Sequence, residues 1–151
     1  MIAWRLIKAR YADAPLSTNG AVAEGGRWNE PGTPLLYCSE HLSLAALEVL
    51  VHLSPNYRHT RYLALELAIP DDAPVTRWDV HELPEDWKTL VGSPRCTAQG
   101  SNWAISGVAL VLSVPSVIVP QESNTIVNGL HSAFKRVQVR SSEPFYFDDR
   151  L

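Results

Sequence analysis

Alternating apolar and polar positions give the clearest indication of secondary structure in this chain. At residues 62–69 the side chains of Leu63, Leu65, Leu67 and Ile69 fall on one side of a period-two pattern. Such alternation is typical of a strand with one face turned to a core. Similar or β-branched apolar runs predict further strands at residues 2–7, 35–38, 108–112, 117–119 and 137–139.

One strong helix is predicted at residues 42–53, where apolar residues lie on nearly every side. Ser39 or Ser43 is available as its N-cap and Pro55 closes it. We expect this helix to be buried between or against sheets. A weaker helix is predicted at residues 96–105, with Thr97 near its start. Short strands around one central helix, without regular βαβ alternation, indicate an α+β fold and not a doubly wound parallel sheet.

The length and composition indicate one globular domain spanning residues 1–151. The chain is 46% hydrophobic and 19% charged, and it has no internal repeat or linker. No apolar run reaches the roughly 18 residues that a spanning helix needs. The first residues, MIAWRLIKARY, lack the apolar centre and cleavage site of a signal peptide. We therefore expect a cytoplasmic protein without a membrane segment.

Charge and cysteine usage exclude several classes of function. The formal net charge is -3, with lysines and arginines scattered along the chain, so the basic surface of a nucleic-acid-binding protein is not expected. The two cysteines, Cys38 and Cys96, form no CxxC motif and no cluster with metal-ligand spacing. We predict neither a disulfide framework nor a bound metal.

Glu48 is the residue that a hydrophobic core explains least, because it interrupts the apolar run LAALEVLVHL. A carboxylate is almost never fully buried without a partner. Either it forms a salt bridge or capping bond inside the core, or it lines a cleft and stabilises a ligand hydroxyl or positive charge. His52 follows at i+4 on the same helical face, and a structural role is the more common one for such a histidine.

The segment GGRWNEPG, residues 25–32, presents Arg27 on a tight loop. Paired glycines allow unusual backbone angles or a close approach to a ligand, and a guanidinium suits phosphate oxygens. The segment matches neither a P-loop nor GxGxxG, so a plain turn with an exposed arginine remains open. Trp28 either stacks on a base or caps the core, the second being more common.

Three further polar positions are candidates for the same site. Tyr37 lies on the short strand before the helix, where a tyrosine is more often part of the core than of a site. Ser116 stands between two apolar runs in VPSVIVPQESNTIVN, with Asn124 and Asn128 following. Ser116 fits an ordinary turn after Pro115. It is not predicted to be a nucleophile, because no GxSxG motif surrounds it and no Asp and His complete a triad.

Taken together, GGRWN, LLYCSEHLSLAALEVLVHL and VPSVIVPQESNTIVN resemble the RES domain, a family of bacterial toxins. The likeness spans nearly the whole chain and includes the opening Trp4-Arg5. On this resemblance the family's Arg, Tyr, Glu and Ser correspond to Arg27, Tyr37, Glu48 and Ser116. The segment at residues 128–132 departs from the family, because it lacks the prolines often found after the second Asn and after the His, here His131.

The resemblance implies a fold similar to the ADP-ribosyltransferase toxins and an activity that depletes NAD by cleaving the nicotinamide–ribose bond. Arg27 would hold the pyrophosphate, Tyr37 would pack near the nicotinamide ribose, and Glu48 would stabilise positive charge on that ribose. Ser116 would hydrogen-bond the ligand. The ligand-contacting set is expected to include six residues: Arg27, Trp28, Tyr37, Glu48, Ser116 and Asn124. NAD+ is then the substrate, and neither cofactor nor metal is required.

The resemblance also implies a partner, a cognate antitoxin of the Xre type that blocks the site, while the toxin itself need not contact DNA. Two alternatives remain open beside NAD cleavage. One is an ADP-ribosyltransferase that modifies a protein, and the other is a non-catalytic module that holds a nucleotide. The sequence does not distinguish water, phosphate or protein as the acceptor of ADP-ribose, nor does it reveal the oligomeric state.

Overall fold

The computed structural model describes residues 1–54, 59–90 and 92–151, which form one seven-stranded sheet with three α-helices. Along the chain the elements are β1 (Ile2–Lys8), α1 (Asn19–Glu24), β2 (Leu35–Ser39), α2 (Leu42–Leu50), β3 (Tyr62–Ala68), β4 (Val75–Arg77), α3 (Pro94–Ser106), β5 (Val111–Pro115), β6 (Ser123–Asn128) and β7 (Gln138–Phe145). In the described residues no helix is long and apolar enough to cross a membrane.

The strand order is β4-β5-β6-β2-β1-β3-β7. The β4–β5 pair is parallel and the other pairs are antiparallel, so the sheet is mixed. β1 pairs with β3 along its whole length. It meets β2 at the single register pair Trp4–Ser39 within the described chain. The sheet is therefore weakly joined at its middle, between β2 and β1.

Helices α2 and α3 cover different halves of the same sheet face. The apolar residues of α2 pack with Leu6 of β1 and Tyr62 of β3, whereas Trp103 of α3 packs with Leu35 of β2 and with residues of β5 and β6. Trp4 and Ser39 are direct cross-strand partners, and such partners project to the same side of a sheet. A cleft between the two helices therefore lies over the weak joint of the sheet.

The opposite face carries a separate apolar cluster. It contains Ala3, Leu36, Leu67 and Val127, and Phe134 from a 3-10 segment packs against it. Each central strand thus buries side chains on both faces, which explains why β2 and β5 are apolar at nearly every position.

The strand predictions at residues 2–7, 35–38 and 62–69 are confirmed by β1, β2 and β3. The strand predicted at 108–112 starts later, at Val111, and that at 137–139 extends to Phe145. The strand predicted at 117–119 is wrong. There the Ser116 hydroxyl accepts hydrogen bonds from the backbone N–H groups of Ile118 and Val119 at 3.0 and 3.1 Å, which closes a turn. Short strands β4 and β6 have no counterpart among the predicted strands.

The principal helix is shorter and more open than its apolar sequence predicts. It ends at Leu50, and its N-cap position is His41, without a side-chain capping bond, instead of Ser39 or Ser43. Pro55 lies outside the described residues. Leu44 and Ala45 are buried, but Leu47 is 37% exposed and Val51 just beyond the helix is 56% exposed. The helix lies against one sheet face and borders the cleft with its other side, so the expectation of a fully buried helix is wrong.

The weaker helix is confirmed and extended as α3. It begins at Pro94, because the Ser93 hydroxyl caps it by accepting from Arg95 N at 3.1 Å, and Gly107 ends it in the left-handed conformation. Thr97 lies inside the first turn and bonds Pro94 O.

Candidate active site

A cavity of about 750 Å³ opens over the joint between β1 and β2. Its volume is in the range of small-molecule sites. Five of the six residues expected to contact the ligand line it together: Arg27, Trp28, Tyr37, Glu48 and Asn124. Its other charged lining residues are Arg5 and Lys88, so the described wall carries more positive than negative charge, and an anionic ligand fits this balance.

Glu48 is held at one of its two carboxylate oxygens. Oε1 accepts a hydrogen bond from the Ser116 hydroxyl at 2.9 Å and another from Asn124 Nδ2 at 2.5 Å. Among the described residues Oε2 has no hydrogen-bonding partner, and it is not buried. The carboxylate is therefore fixed by one oxygen and offers the other to the cavity.

Ser116 lies behind Glu48 and not on the cavity surface. Its side chain is 0% exposed. Its hydroxyl donates to Glu48 and accepts from the two backbone N–H groups of the following turn. A hydroxyl has one hydrogen to donate, so this arrangement favours a role in orienting Glu48 over the expected direct bond to a ligand.

The GGRWN segment forms a tight turn that Gly26 and Asn29 stabilise. Gly26 and Asn29 exchange backbone hydrogen bonds, and a Cβ on Gly26 would lie 2.6 Å from the Tyr37 hydroxyl oxygen. The buried Asn29 donates through Nδ2 to Thr33 O and accepts the Tyr37 hydroxyl at 2.7 Å. The segment thus ties the turn to β2 and leaves Arg27 at its tip.

Arg27 is anchored from one side. Its Nη1 donates to the carbonyl oxygens of Trp87 and Thr89 at 2.6 and 2.9 Å, and Trp87 itself is buried in the cluster under α3. In the described part of the chain no acceptor contacts Arg27 Nη2 or Nε. The guanidinium is held in place with part of its donor fork available to a ligand.

Tyr37 contributes its ring and not a mobile proton. Its hydroxyl donates to Asn29 Oδ1 and accepts from Trp28 N at 3.1 Å. Burial raises the pKa of Tyr37 well above its ordinary value, although the Trp28 N–H and the charge of Arg27 oppose that shift. The phenol is neutral near pH 7 and its hydroxyl is already engaged.

Trp28 belongs mainly to the core, as the more common of its two interpretations predicts. It is 3% exposed and makes an edge contact with Trp78, with ring centroids 5.6 Å apart. Only its margin reaches the cavity wall. This position leaves little surface for stacking on a base.

Arg5 lies at the cavity, although in the sequence it stands out only as part of the opening Trp4-Arg5 pair, without an assigned role. It lines the cavity, its Nη1 donates to Tyr37 O at 3.1 Å, and its buried Nε has no partner among the described residues. Burial lowers the pKa of Arg5, and the neighbouring Cys38 opposes this shift. The Arg5 side chain starts on the sheet face opposite the two helices, together with Ala3 and Ile7. A signal is nevertheless present in the sequence, because Arg5 interrupts the apolar residues of that face.

The remaining polar candidates separate into two groups. His52 lies at the exposed rim of the cavity. Asn128 and His131 are structural: Asn128 is fully buried and bonds Ala104 O at 2.9 Å, and His131 Nδ1 accepts from Ala133 N at the start of a 3-10 segment. Of the two asparagines in the third motif, only Asn124 lies at the site.

Outside the cavity, the side chains of Glu40, His41 and Glu122 bring potential metal-ligand atoms within 4.8 Å of one another. All three are at least partly exposed, and Glu40 is already bonded to Ser123 N at 2.6 Å. Exposed groups of this kind are common without a metal.

Comparison with known proteins shows the family of this chain. Residues 2–148 match the RES domain family. The chain is 37% identical over 153 aligned positions to the protein named Toxin Res of Photorhabdus laumondii, covering 100% of this chain and 97% of that one. A protein of Sphingobium sp. strain YBL2 named Prs ADP-ribosylating toxin is also 37% identical, over 98% of this chain and 94% of its own.

The fold is shared with a solved toxin. The structure is similar to that of the Mycobacterium tuberculosis MbcT–MbcA toxin–antitoxin complex, with a TM-score of 0.74, 21% identity, and coverage of 96% of this chain and 84% of that chain. This similarity, with the mixed seven-stranded sheet and its helices, confirms the α+β class. With a family match over nearly its whole length and toxins among its full-length relatives, the chain belongs to the RES domain family of toxins.

Proposed function

We propose that this protein is the toxin of a toxin–antitoxin system and that it depletes NAD+ by cleaving the bond between nicotinamide and ribose. The observation that carries the proposal is the carboxylate of Glu48. It is fixed through Oε1, it presents Oε2 to the cavity, and Arg27 lines the same cavity with part of its donor fork unengaged.

The proposed reaction breaks the C1′–N bond of the nicotinamide ribose. Both bonding electrons go to the nicotinamide nitrogen, which is cationic in NAD+ and leaves neutral, so no protein acid and no metal is required. The ribose becomes oxocarbenium-like in the transition state, and a carboxylate nearby stabilises that charge and binds the ribose hydroxyls. Glu48 Oε2 has this role in the proposal.

Arg27 is assigned to the negatively charged part of the substrate. It retains unpaired donors on a fixed guanidinium, and such donors suit the oxygens of a pyrophosphate. Tyr37 provides the wall beside the nicotinamide ribose, while Asn124 and Ser116 orient Glu48.

An ADP-ribosyltransferase that modifies a protein is the second candidate. The observation that favours it is the 37% identity to the Sphingobium protein named Prs ADP-ribosylating toxin. The bond that breaks is the same, and only the acceptor differs: water, phosphate or a protein side chain. A non-catalytic nucleotide-binding module would not require a carboxylate presented as Glu48 is.

We further infer a cognate antitoxin partner, of the Xre type that the family resemblance implies. One solved structure with a similar fold is a toxin–antitoxin complex. In the cell the substrate would be the cytoplasmic NAD+ pool, and DNA contact would be left to the antitoxin.

The proposal is tested by incubating the purified chain with NAD+, with and without phosphate, and following nicotinamide by chromatography. A third incubation contains bacterial lysate and NAD+ labelled in its ADP-ribose part. ADP-ribose as co-product identifies water as the acceptor, and ADP-ribose phosphate identifies phosphate. Transfer of the label to a lysate protein identifies a transferase. Glu48→Gln is the matched inactive control. Absence of nicotinamide at high protein concentration under all three conditions would rule out both enzymatic candidates.

A further inference from the structure

Ser39, the last residue of β2, borders the cavity and is linked through one residue to the carboxylate that carries the proposed function. It is 2% exposed, and its hydroxyl donates to Asn124 Oδ1 at 2.7 Å. The two residues face each other directly in the β2–β6 register. Asn124 then donates through Nδ2 to Glu48 Oε1 at 2.5 Å. A continuous chain of hydrogen bonds thus runs from the end of β2 to Glu48.

The chemistry of each group fixes the direction of this chain. An ionised carboxylate only accepts hydrogen bonds, so the amide of Asn124 must turn its NH₂ toward Glu48 and its oxygen toward Ser39. In that orientation the amide oxygen needs a donor, and the Ser39 hydroxyl supplies one. Hydrogen bonds in such a row polarise one another, so donation by Ser39 strengthens the bond that Asn124 makes to Glu48.

The position of Ser39 also suits this task. β2 and β1 meet at the pair Trp4–Ser39, which makes Ser39 the point where the two halves of the sheet are joined beneath the cavity. Glu48 lies on α2, which packs on one half, and Asn124 lies on β6 in the other. The link from Ser39 through Asn124 therefore sets the position of Glu48 relative to the half of the sheet that carries Arg27 and Tyr37.

We propose that Ser39 is a positioning residue for Glu48, acting through the amide of Asn124; this rests on the proposed NAD+-cleaving function. Loss of the hydroxyl leaves Asn124 free to rotate and leaves Glu48 Oε1 held firmly by Ser116 alone. The substrate still binds, but the carboxylate is less often placed against the reacting ribose. The effect falls on kcat and not on KM.

A double-mutant cycle on nicotinamide release tests this. A neutral hydrogen bond contributes about 0.5–1.5 kcal/mol, so we expect Ser39→Ala to lower kcat roughly 2- to 13-fold with KM nearly unchanged. In an Asn124→Ala background, Ser39→Ala should cause no further loss, because its path to Glu48 is already broken. Ser113→Ala is the matched control. Ser113 lies outside the cavity lining, on β5, which pairs with β6.

Three outcomes would overturn the proposal. An unchanged kcat in Ser39→Ala removes the role. An equal loss with and without Asn124 assigns the effect to general strand stability. A rise in KM alone assigns Ser39 to direct ligand contact.

A second measurement separates this proposal from the function on which it rests. The side-chain amide signals of Asn124 in nitrogen-15 NMR report its bond to Glu48 without any substrate. Glu48→Gln and Ser39→Ala should both shift these signals, and Ser113→Ala should not.

The failure of the function and the failure of the positioning are distinguishable. If the wild type releases no nicotinamide, the NAD+-cleaving function fails, but the NMR measurement still tests the positioning of Glu48 by Ser39. If Ser39→Ala leaves the Asn124 signals in place, the positioning fails whatever the activity.

Discussion

Gly100 of α3 lies against the backbone of Trp28, so closely that a Cβ on residue 100 would be 1.9 Å from the Trp28 carbonyl oxygen. This contact fixes the helix against the turn that carries Arg27. The neighbouring Ser101 hydroxyl strengthens it by accepting from Glu30 N at 2.9 Å. The position of the Arg27 turn therefore depends on the absence of a side chain at residue 100, which lies in a different element.

We expect Gly100→Ala to lower the free energy of unfolding by roughly 3 kcal/mol, because backbone must move to admit the methyl group. Gly20→Ala is the matched control: Gly20 lies in helix α1, a Cβ added there would meet nothing within 4 Å, and its φ is not positive. Alanine there should be neutral or stabilise by up to about 1 kcal/mol. Urea unfolding of both variants measures the difference, and equal stability of the two would contradict the close approach.

Glu48→Gln is expected to separate structure from catalysis. A glutamine retains an oxygen that accepts from Ser116 and Asn124, so the melting temperature should change little. The charge that stabilises the ribose is lost, and the rate of nicotinamide release should fall roughly 10²- to 10³-fold. Glu85→Gln, on an exposed carboxylate outside the cavity lining, is the control. A folded Glu48→Gln protein with wild-type kcat would remove Glu48 from the reaction.

Arg27→Lys should weaken substrate binding although the charge is conserved. The guanidinium holds the carbonyls of Trp87 and Thr89 through Nη1 and leaves other donors for the ligand. A single ammonium group does not reproduce this fork. We expect the KM for NAD+ to rise roughly 10- to 100-fold, since charge-assisted hydrogen bonds contribute about 1.5–3 kcal/mol. Arg95→Lys on the exposed side of α3 should leave KM unchanged, and similar KM values for both variants would contradict the anchoring.

The sequence predicts the parts of the fold that local periodicity controls. Strand β3 is predictable because its leucines, Leu63, Leu65 and Leu67, fall at every second position and pack on one sheet face. Strand β6 escapes prediction, because it begins with Ser123 and Asn124, and its polar side chains are satisfied by partners distant in sequence. The Ser39–Asn124 bond spans 85 residues, and no local pattern contains such information.

The same limit applies to the site. Glu48 is identifiable from the sequence because an ionisable group in an apolar helix requires an explanation. Arg5 likewise interrupts an apolar face, that of strand β1. Because polar residues are expected at every second position of a strand, a single arginine there does not call for an explanation. Ser116 is a candidate from the third motif. Its contact with Glu48 instead of the cavity depends on the turn that its own hydroxyl closes, and the sequence pattern does not reveal this.

Cys38 provides a prediction of how stability depends on pH. Burial raises the pKa of its thiol from 9.0 to about 11, with Arg5 opposing the shift. Because the folded protein holds the proton more tightly than the unfolded chain, this contribution is complete below pH 9 and is lost as the pH rises from 9 to 11. We expect it to lower the free energy of unfolding by about 3 kcal/mol over that interval.

The Cys38→Ala variant tests the sign and the source of that loss. Between about pH 7 and 9 its free energy of unfolding should run parallel to that of the wild type, and from pH 9 to 11 it should fall less steeply. In the folded wild type the thiol should also resist iodoacetamide at about pH 8, whereas in urea at the same pH it should react. Identical alkaline slopes for the two proteins would show that the thiol titrates normally and that Arg5 stabilises the thiolate enough to cancel the effect of burial.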